Sequence, residues 1–205
     1  MIKAIIFDMN GVLFTGIESM GDKSFHLIVS KKLGVDLDTW IDAIDSSYSK
    51  SVEGKIKEKE LIRIISDNLQ VNEKKLERII VSTYKKLFNK NKELFKIAKG
   101  LKKYYKVAIL SDQWAYSKKA LVNRKEISSF DLAIFSCDVG MRKPDKKIFN
   151  LALRKLKVKP EEAIFIDNRF WNTEPAKKIG IKTILFRNNR QFLRDLKKLG
   201  VKYEY

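Results

Sequence analysis

Short runs of consecutive apolar residues, many of them β-branched, recur at residues 2–7, 107–110, 132–135, 163–166 and 183–186. Each is too short for a helix and, Lys3 and Thr183 apart, apolar throughout, as strands buried on both faces of a parallel sheet require. Between the runs, apolar positions fall three and four apart. In residues 145–157, Ile148, Leu151, Ala152, Leu153 and Leu156 share one helical face. From the second run onward, strand starts recur about every 20–30 residues, the span of a βαβ unit. The alternation predicts an α/β fold with a doubly wound parallel sheet, a Rossmann-like core.

Residues 15–95 follow a different rule. They show no strand alternation. Instead Leu61, Ile62, Ile64, Ile65 and Leu69, and then Leu76, Ile79, Ile80, Tyr84 and Leu87, mark amphipathic helices. The pattern predicts an α-helical cap inserted between the first and second strands, with the core formed by residues 1–14 and 96–205. No stretch rich in Pro or Gly marks the joins, so the two crossings near residues 15–18 and 91–96 are expected to form the hinge.

Composition narrows the class. With 205 residues, 44% of them hydrophobic and 33% charged, and only nine Gly and three Pro, the chain is neither collagen-like nor of low complexity. No apolar run approaches the roughly 18 residues of a membrane helix, and Asp8 interrupts the N-terminal run that a signal peptide would need. The single cysteine, Cys137, gives no sign of an oxidising compartment. A soluble, cytoplasmic protein with no membrane partner is expected.

The net charge of +18 admits a nucleic-acid binder, a membrane-surface protein or a handler of anionic metabolites, or simply solvated helix faces. It is unevenly spread. Residues 15–95 carry 15 basic and 13 acidic side chains, a net of +2, so a net of +16 belongs to the remainder.

The polar residues that follow the strands are the candidate chemistry. Asp8-Met9-Asn10-Gly11 follows the first strand and Ser111-Asp112 the second. Arg142-Lys143-Pro144-Asp145 lies beyond the third and Asp167-Asn168-Arg169 after the fourth. Any one of them is ordinary turn or cap chemistry. Together, at the carboxyl ends of a parallel sheet, they converge on the crevice where such sheets bind ligands. An Asp can attack phosphorus as a nucleophile, a Lys and a hydroxyl can hold the phosphoryl oxygens, and clustered side-chain and carbonyl oxygens suit Mg²⁺.

In their order and content these segments resemble the four motifs of the haloacid dehalogenase-like hydrolase superfamily. The stretch Glu53-Gly54-Lys55-Ile56, with Glu58 and Glu60, resembles caps of its helical-cap phosphatase branch. The resemblance covers the whole chain. It implies a phosphatase of a small anionic phosphorylated substrate, acting through an aspartyl-phosphate on Asp8. It implies that Ser111 and Asp112 bind the phosphoryl group, that Lys143 neutralises charge, and that Asp8, the Asn10 carbonyl, Asp167 and Asn168 hold Mg²⁺.

Two positions depart from that pattern. Asn10 stands where the phosphatase branch has a general acid–base Asp, and Asn168 stands where it has a second acid. An amide orients a leaving group but cannot exchange a proton, a contribution of about 10²–10⁴-fold. Three outcomes remain open: an enzyme best suited to acyl or aryl phosphates, a dehalogenase-type hydrolase, or a weakly active or inactive phosphometabolite binder. Because Gly follows it, Asn10 is also a deamidation candidate, which would restore the acid.

Other residues carry less. Gln113 and Trp114 either border the substrate entrance or pack beneath the cap, and Trp171 stands alike. Trp40 reads as cap core, His26 has no partner for a metal role, and Cys137 reads as a packing residue. Arg142 and Arg169 flank the site motifs, and residues 187–205 form a last amphipathic helix and a short end. Residues 102–106, Lys-Lys-Tyr-Tyr-Lys, interleave bases and aromatics as single-strand binders do, yet also fit a helix end. Nucleic acid is the less favoured partner, and the sequence carries no signal for oligomeric state.

Overall fold

The computed structural model describes residues 1–16 and 24–203. Among them the helices and strands run in the order β1 (Ala4–Phe7), β2 (Phe14–Thr15), α1 (Phe25–Leu33), α2 (Leu37–Val52), α3 (Glu58–Leu69), α4 (Glu73–Leu87), β3 (Asn89–Lys90) and α5 (Lys92–Leu101). The chain continues through β4 (Lys106–Ser111), α6 (Ala115–Leu121), α7 (Arg124–Ile127), β5 (Leu132–Phe135), α8 (Ser136–Val139) and α9 (Lys146–Leu156). It ends with β6 (Ala163–Asp167), α10 (Phe170–Lys178), β7 (Lys182–Leu185) and α11 (Asn189–Lys198). No helix of the described residues is long and apolar enough to cross a membrane.

The five apolar runs form one parallel sheet in the order β5-β4-β1-β6-β7. The chain builds outward from β1 to β5, then crosses back to lay β6 and β7 on the other side. The order therefore reverses between β1 and β6, and the ligand crevice of such a sheet opens there. The period of two divides each strand between two cores. Ile5, Phe7, Val107, Ile109, Ile164 and Ile166 belong to one apolar cluster, and Ala4, Ile6, Ala108, Leu110, Ala163 and Phe165 to the other. The second cluster is closed by α9, through Ile148, Phe149, Ala152, Leu153 and Leu156.

Residues 25–87 form the four helices α1–α4, and their apolar faces join the first cluster. Leu61, Ile62, Ile65 and Leu69 of α3 and Leu76, Ile80 and Tyr84 of α4 are buried as their spacing predicts. Ser24, Asp36 and Asn72 cap α1, α2 and α4 by accepting from the backbone N–H groups of Leu27, Thr39 and Lys75. Trp40 is fully buried, and its Nε1 donates to His26 Nδ1 at 3.0 Å. Burial holds His26 below its ordinary pKa, in keeping with a neutral acceptor ring.

The helical segment begins and ends in a two-residue antiparallel ribbon, Phe14–Thr15 against Asn89–Lys90. Pattern reading misses so short a pair. Asn91 then fixes the return: its N–H donates to Leu13 O at 2.9 Å and its Oδ1 caps α5. Helix α5 therefore starts at Lys92, within the expected second crossing. Of the first crossing, residues 17 and 18 lie outside the described residues, as do 204 and 205 of the expected tail.

Trp114 and Gly54 mark two of the contacts that join the helices to the sheet-bearing part. Trp114, just past β4, is buried rather than at an entrance: its Nε1 donates to Tyr84 Oη at 2.7 Å and its ring lies 5.3 Å from that of Tyr48. Gly54, in the α2–α3 turn at φ +66°, lies so close to the Cys137 carbonyl that a Cβ would sit 2.3 Å from its oxygen. Left-handed backbone and a backbone neighbour both demand glycine. Gly54→Ala is expected to cost about 1–3 kcal/mol and to lower Tm by several degrees in thermal unfolding. An unchanged Tm would show that this approach does not constrain the fold.

Candidate active site

Asp8 is the first residue past β1, and its N–H donates to Ile166 O at 2.8 Å, which locks it against β6. Asp167 ends β6 and Ser111 ends β4. Lys143 arrives from the loop before α9. The packing of α9 on the second cluster brings its ammonium to 5.5 Å from the Phe165 ring centroid. There Lys143 Nζ donates to Asp8 Oδ1 at 2.6 Å and to Asp167 Oδ2 at 2.7 Å. All three residues are buried, at 4%, 5% and 0% exposure for Lys143, Asp8 and Asp167.

One ammonium thus serves two buried carboxylates. Burial raises the Asp8 carboxyl to about 7; Lys143 opposes that rise and Asp167 adds to it. Burial alone would lower Lys143, but Asp8, Asp167 and Asp112 outweigh it and hold the ammonium above the ordinary lysine range. Asp167 accepts two further bonds: Oδ1 from Arg169 N at 2.8 Å, and Oδ2 also from Asn172 Nδ2 at 2.9 Å. Asn172 escaped sequence reading. Its one signal was a poor helix former in the first turn of a helix, five residues after Asp167.

A cavity of about 330 Å³ opens on this cluster. The buried Asp8 and Lys143, the half-buried Asn10, Asp112 and Arg142, and the exposed Tyr48, Arg169 and Trp171 all line it, Trp171 at 61% exposure. Arg169 lies 5.5 Å over the Trp171 ring. Tyr48 comes from α2 and gave no sequence signal beyond amphipathic spacing. A larger hollow of about 760 Å³, between the α2–α3 turn and α6, is lined by none of the predicted site residues. Cys137 lines that hollow, and burial pushes its thiol up to about 11, which makes it a poor nucleophile.

The remaining predicted residues divide. Ser111 is fully buried and does not line the cavity; its Oγ accepts from Gln113 Nε2 at 2.9 Å. Asp112 does line the cavity, with Oδ1 accepting from the Lys143 backbone N–H at 3.0 Å. The Asn10 and Asn168 side-chain oxygens are both buried with no hydrogen-bond donor. Asn168 rests on Gly11, where a Cβ would sit 2.3 Å from its Nδ2. The Gly11 N–H donates to Phe14 O at 2.6 Å, so the nitrogen that deamidation of Asn10 needs is engaged and the folded chain resists that reaction.

Among the described residues no group of three His, Cys, Asp or Glu is placed to hold a metal ion. The donors here are instead the two carboxylates, the Asn10 backbone carbonyl and the Asn168 side-chain oxygen, which lacks a hydrogen donor. An all-oxygen set of this kind fits Mg²⁺. The run 102–106 is occupied by the fold: Lys102 pairs with Asp131 at 3.0 Å, Tyr105 Oη accepts from Lys202 N at 2.8 Å, and Lys106 Nζ donates to Leu156 O at 2.6 Å.

Comparison with known proteins agrees with this geometry. A family profile described as haloacid dehalogenase-like hydrolase matches residues 2–180. The chain is 31% identical over 166 residues to the bifunctional epoxide hydrolase 2 of Mus musculus, covering 78% of this chain but 28% of that protein. It thus spans under a third of that relative. It is 27% identical over 212 residues to the D-ribitol-5-phosphate phosphatase of Bacteroides thetaiotaomicron, covering 96% and 97% of the two chains. A solved HAD family enzyme from Bacteroides thetaiotaomicron superposes with a TM-score of 0.78 at 19% identity, covering 94% and 98%. Its wild-type complex with magnesium and inorganic phosphate scores 0.72, at 18% identity and covering 92% and 96%.

The cluster makes opposite predictions for its members in metal-free protein. Because burial raises Asp8, its contribution to stability is full below the ordinary carboxylate range and is lost as pH rises through about 7. Asp8→Asn is therefore expected to raise Tm more at pH 8 than at pH 5. Lys143→Met leaves two buried carboxylates unpaired and is expected to cost about 3–5 kcal/mol at pH 8, with part recovered at pH 5. Equal, pH-independent shifts in thermal melts would contradict this reading.

Proposed function

We propose, from the premise that this chain belongs to the haloacid dehalogenase-like hydrolase family, that it is a Mg²⁺-dependent phosphatase of small phosphorylated metabolites. The contact of Lys143 Nζ with Asp8 Oδ1 carries the reading. It leaves Oδ2 as the attacking atom and supplies the positive charge that phosphoryl transfer requires. Similarity to a D-ribitol-5-phosphate phosphatase and, over 97 residues, to a glyceraldehyde 3-phosphate phosphatase supports small phosphate esters as the substrate class.

Asp8 attacks phosphorus in line with the leaving oxygen and takes the phosphoryl group as an acyl phosphate. Lys143 neutralises charge on the nucleophile and on the transferred oxygens. Ser111, held by Gln113, steadies the strand end beside it. Asp8, Asp167, the Asn168 side chain and the Asn10 carbonyl would hold Mg²⁺, which supplies charge stabilisation to the phosphoryl oxygens when bound. Arg142 and Arg169 draw the anionic ester to the cavity. Helices α1–α4 act as the cap: Tyr48 brings α2 to the cavity, and closure there excludes bulk water.

Asn10 favours a second reading, a phosphometabolite binder with little turnover, because an amide lining the cavity holds no transferable proton. Hydrolysis of para-nitrophenyl phosphate and of an acyl phosphate, with Mg²⁺ and with a chelator, separates the two. Chelation and Asp8→Asn are each expected to reduce kcat on the order of 10³-fold or more. Asn10→Asp is expected to raise turnover of alkyl esters about 10–100-fold. Turnover indifferent to Asp8→Asn would refute the phosphatase reading, and tight phosphate binding without turnover would support the binder.

A further inference from the structure

We propose that Asp112 is the general acid–base residue of this site, giving the leaving oxygen the proton that Asn10 cannot. The inference rests on the phosphatase reading and adds to it a residue with a defined step. Six titratable or charged side chains line the cavity: Asp8, Tyr48, Asp112, Arg142, Lys143 and Arg169. Asp8 is the nucleophile, Lys143 is committed to two carboxylates, and the arginines do not release protons. Burial raises the phenol of Tyr48 above its ordinary range, which makes it a poorer proton donor than a carboxyl. Asp112 is left.

Its position suits the step. Strands β1 and β4 are parallel neighbours with Phe7 opposite Ile109, so Asn10 and Asp112 each stand three residues past that pair, on adjacent strand ends. Both line the cavity together with Asp8. One residue ties the parts together: the Lys143 side chain holds Asp8 while its backbone N–H holds Asp112 Oδ1 at 3.0 Å. Asp112 Oδ2 has no hydrogen-bond partner among the described residues and is not sealed from solvent, so it opens onto the cavity.

Protonation fits as well. Burial raises the Asp112 carboxyl above its ordinary range, against the pull of Lys143 and Arg142, while Asp167 adds to the rise and Tyr48 faces it from α2. An ionised carboxylate beside a phosphoryl dianion would repel it, whereas a carboxylic acid donates a hydrogen bond. In the first half-reaction the Asp8 Oδ2–phosphorus bond forms as the ester P–O bond breaks, and the departing oxygen takes the Asp112 proton. In the second, water attacks phosphorus, its proton passes to the Asp112 carboxylate, and Asp8 leaves as a free carboxylate.

The test is the dependence of kcat/KM on the leaving group, with para-nitrophenyl phosphate and glycerol 3-phosphate as probes. Asp112→Asn keeps an oxygen to accept the Lys143 N–H but holds no proton. It is expected to raise the aryl-to-alkyl ratio about 100-fold, and Asn10→Asp in the same chain is expected to bring the ratio back. A loss equal on both esters would overturn the proposal, leaving Asp112 as a support for the Lys143 loop. So would a changed ratio in Tyr48→Phe with none in Asp112→Asn. Wild-type protein inert to both esters would overturn the phosphatase reading, and this inference with it. Turnover abolished by Asp8→Asn with a ratio insensitive to Asp112 would overturn this inference alone.

Discussion

The Lys143 ammonium is the constraint from which the rest of the site follows. A parallel sheet that reverses its order between β1 and β6 places two strand ends side by side, and in this chain both end on aspartate. Two carboxylates with almost no solvent cannot share that space unless a cation sits between them. Lys143 fills the role at 2.6 and 2.7 Å. The cation must come from outside the sheet, which makes the seating of α9 on Ala4, Ile6 and Phe165 a condition of the chemistry as well as of the fold. Core packing and the proposed chemistry are coupled here through one side chain.

The same arrangement gives meaning to the two amides. Asn10 and Asn168 reduce the negative charge that Lys143 must balance, and each leaves a buried oxygen without a hydrogen donor. They thin the negative field around Asp8 while keeping oxygen atoms in place. A cation fits such a set, but proton transfer does not, and the carboxyl left to the cavity for that step is Asp112. The arginines act further out. Of the basic excess outside residues 15–95, Arg142 and Arg169 reach the cavity, whereas Lys102 and Lys106 hold the α5–β4 and α9 edges.

The sheet and the inner site were legible because each is written in a short-range pattern. Strands covered on both faces read as unbroken apolar runs, and Asp8, Lys143 and Asp167 stand at fixed offsets from those runs. What stayed hidden depends on side-chain direction or on very short elements. The β2–β3 ribbon has two residues per strand, too few for a period to register. Ser111 reads as a cavity hydroxyl, yet a hydrogen bond with Gln113 engages it below the surface. Trp114 reads equally as rim or core, and only the Tyr84 hydroxyl decides for the core. Asn172 and Tyr48 belong to the site through helices whose rotation no local pattern specifies.

The interdependence of the three buried charges is the central claim, and a double-mutant cycle measures it directly. Unfolding free energies of the wild type, Lys143→Met, Asp167→Asn and the double variant, at neutral pH without metal, give the coupling. A coupling energy of about 2–3 kcal/mol, with the double variant more stable than the two single changes sum to, is the predicted result. Additivity within about 0.5 kcal/mol would mean that Lys143 and Asp167 do not depend on one another, and the account of this site would be wrong.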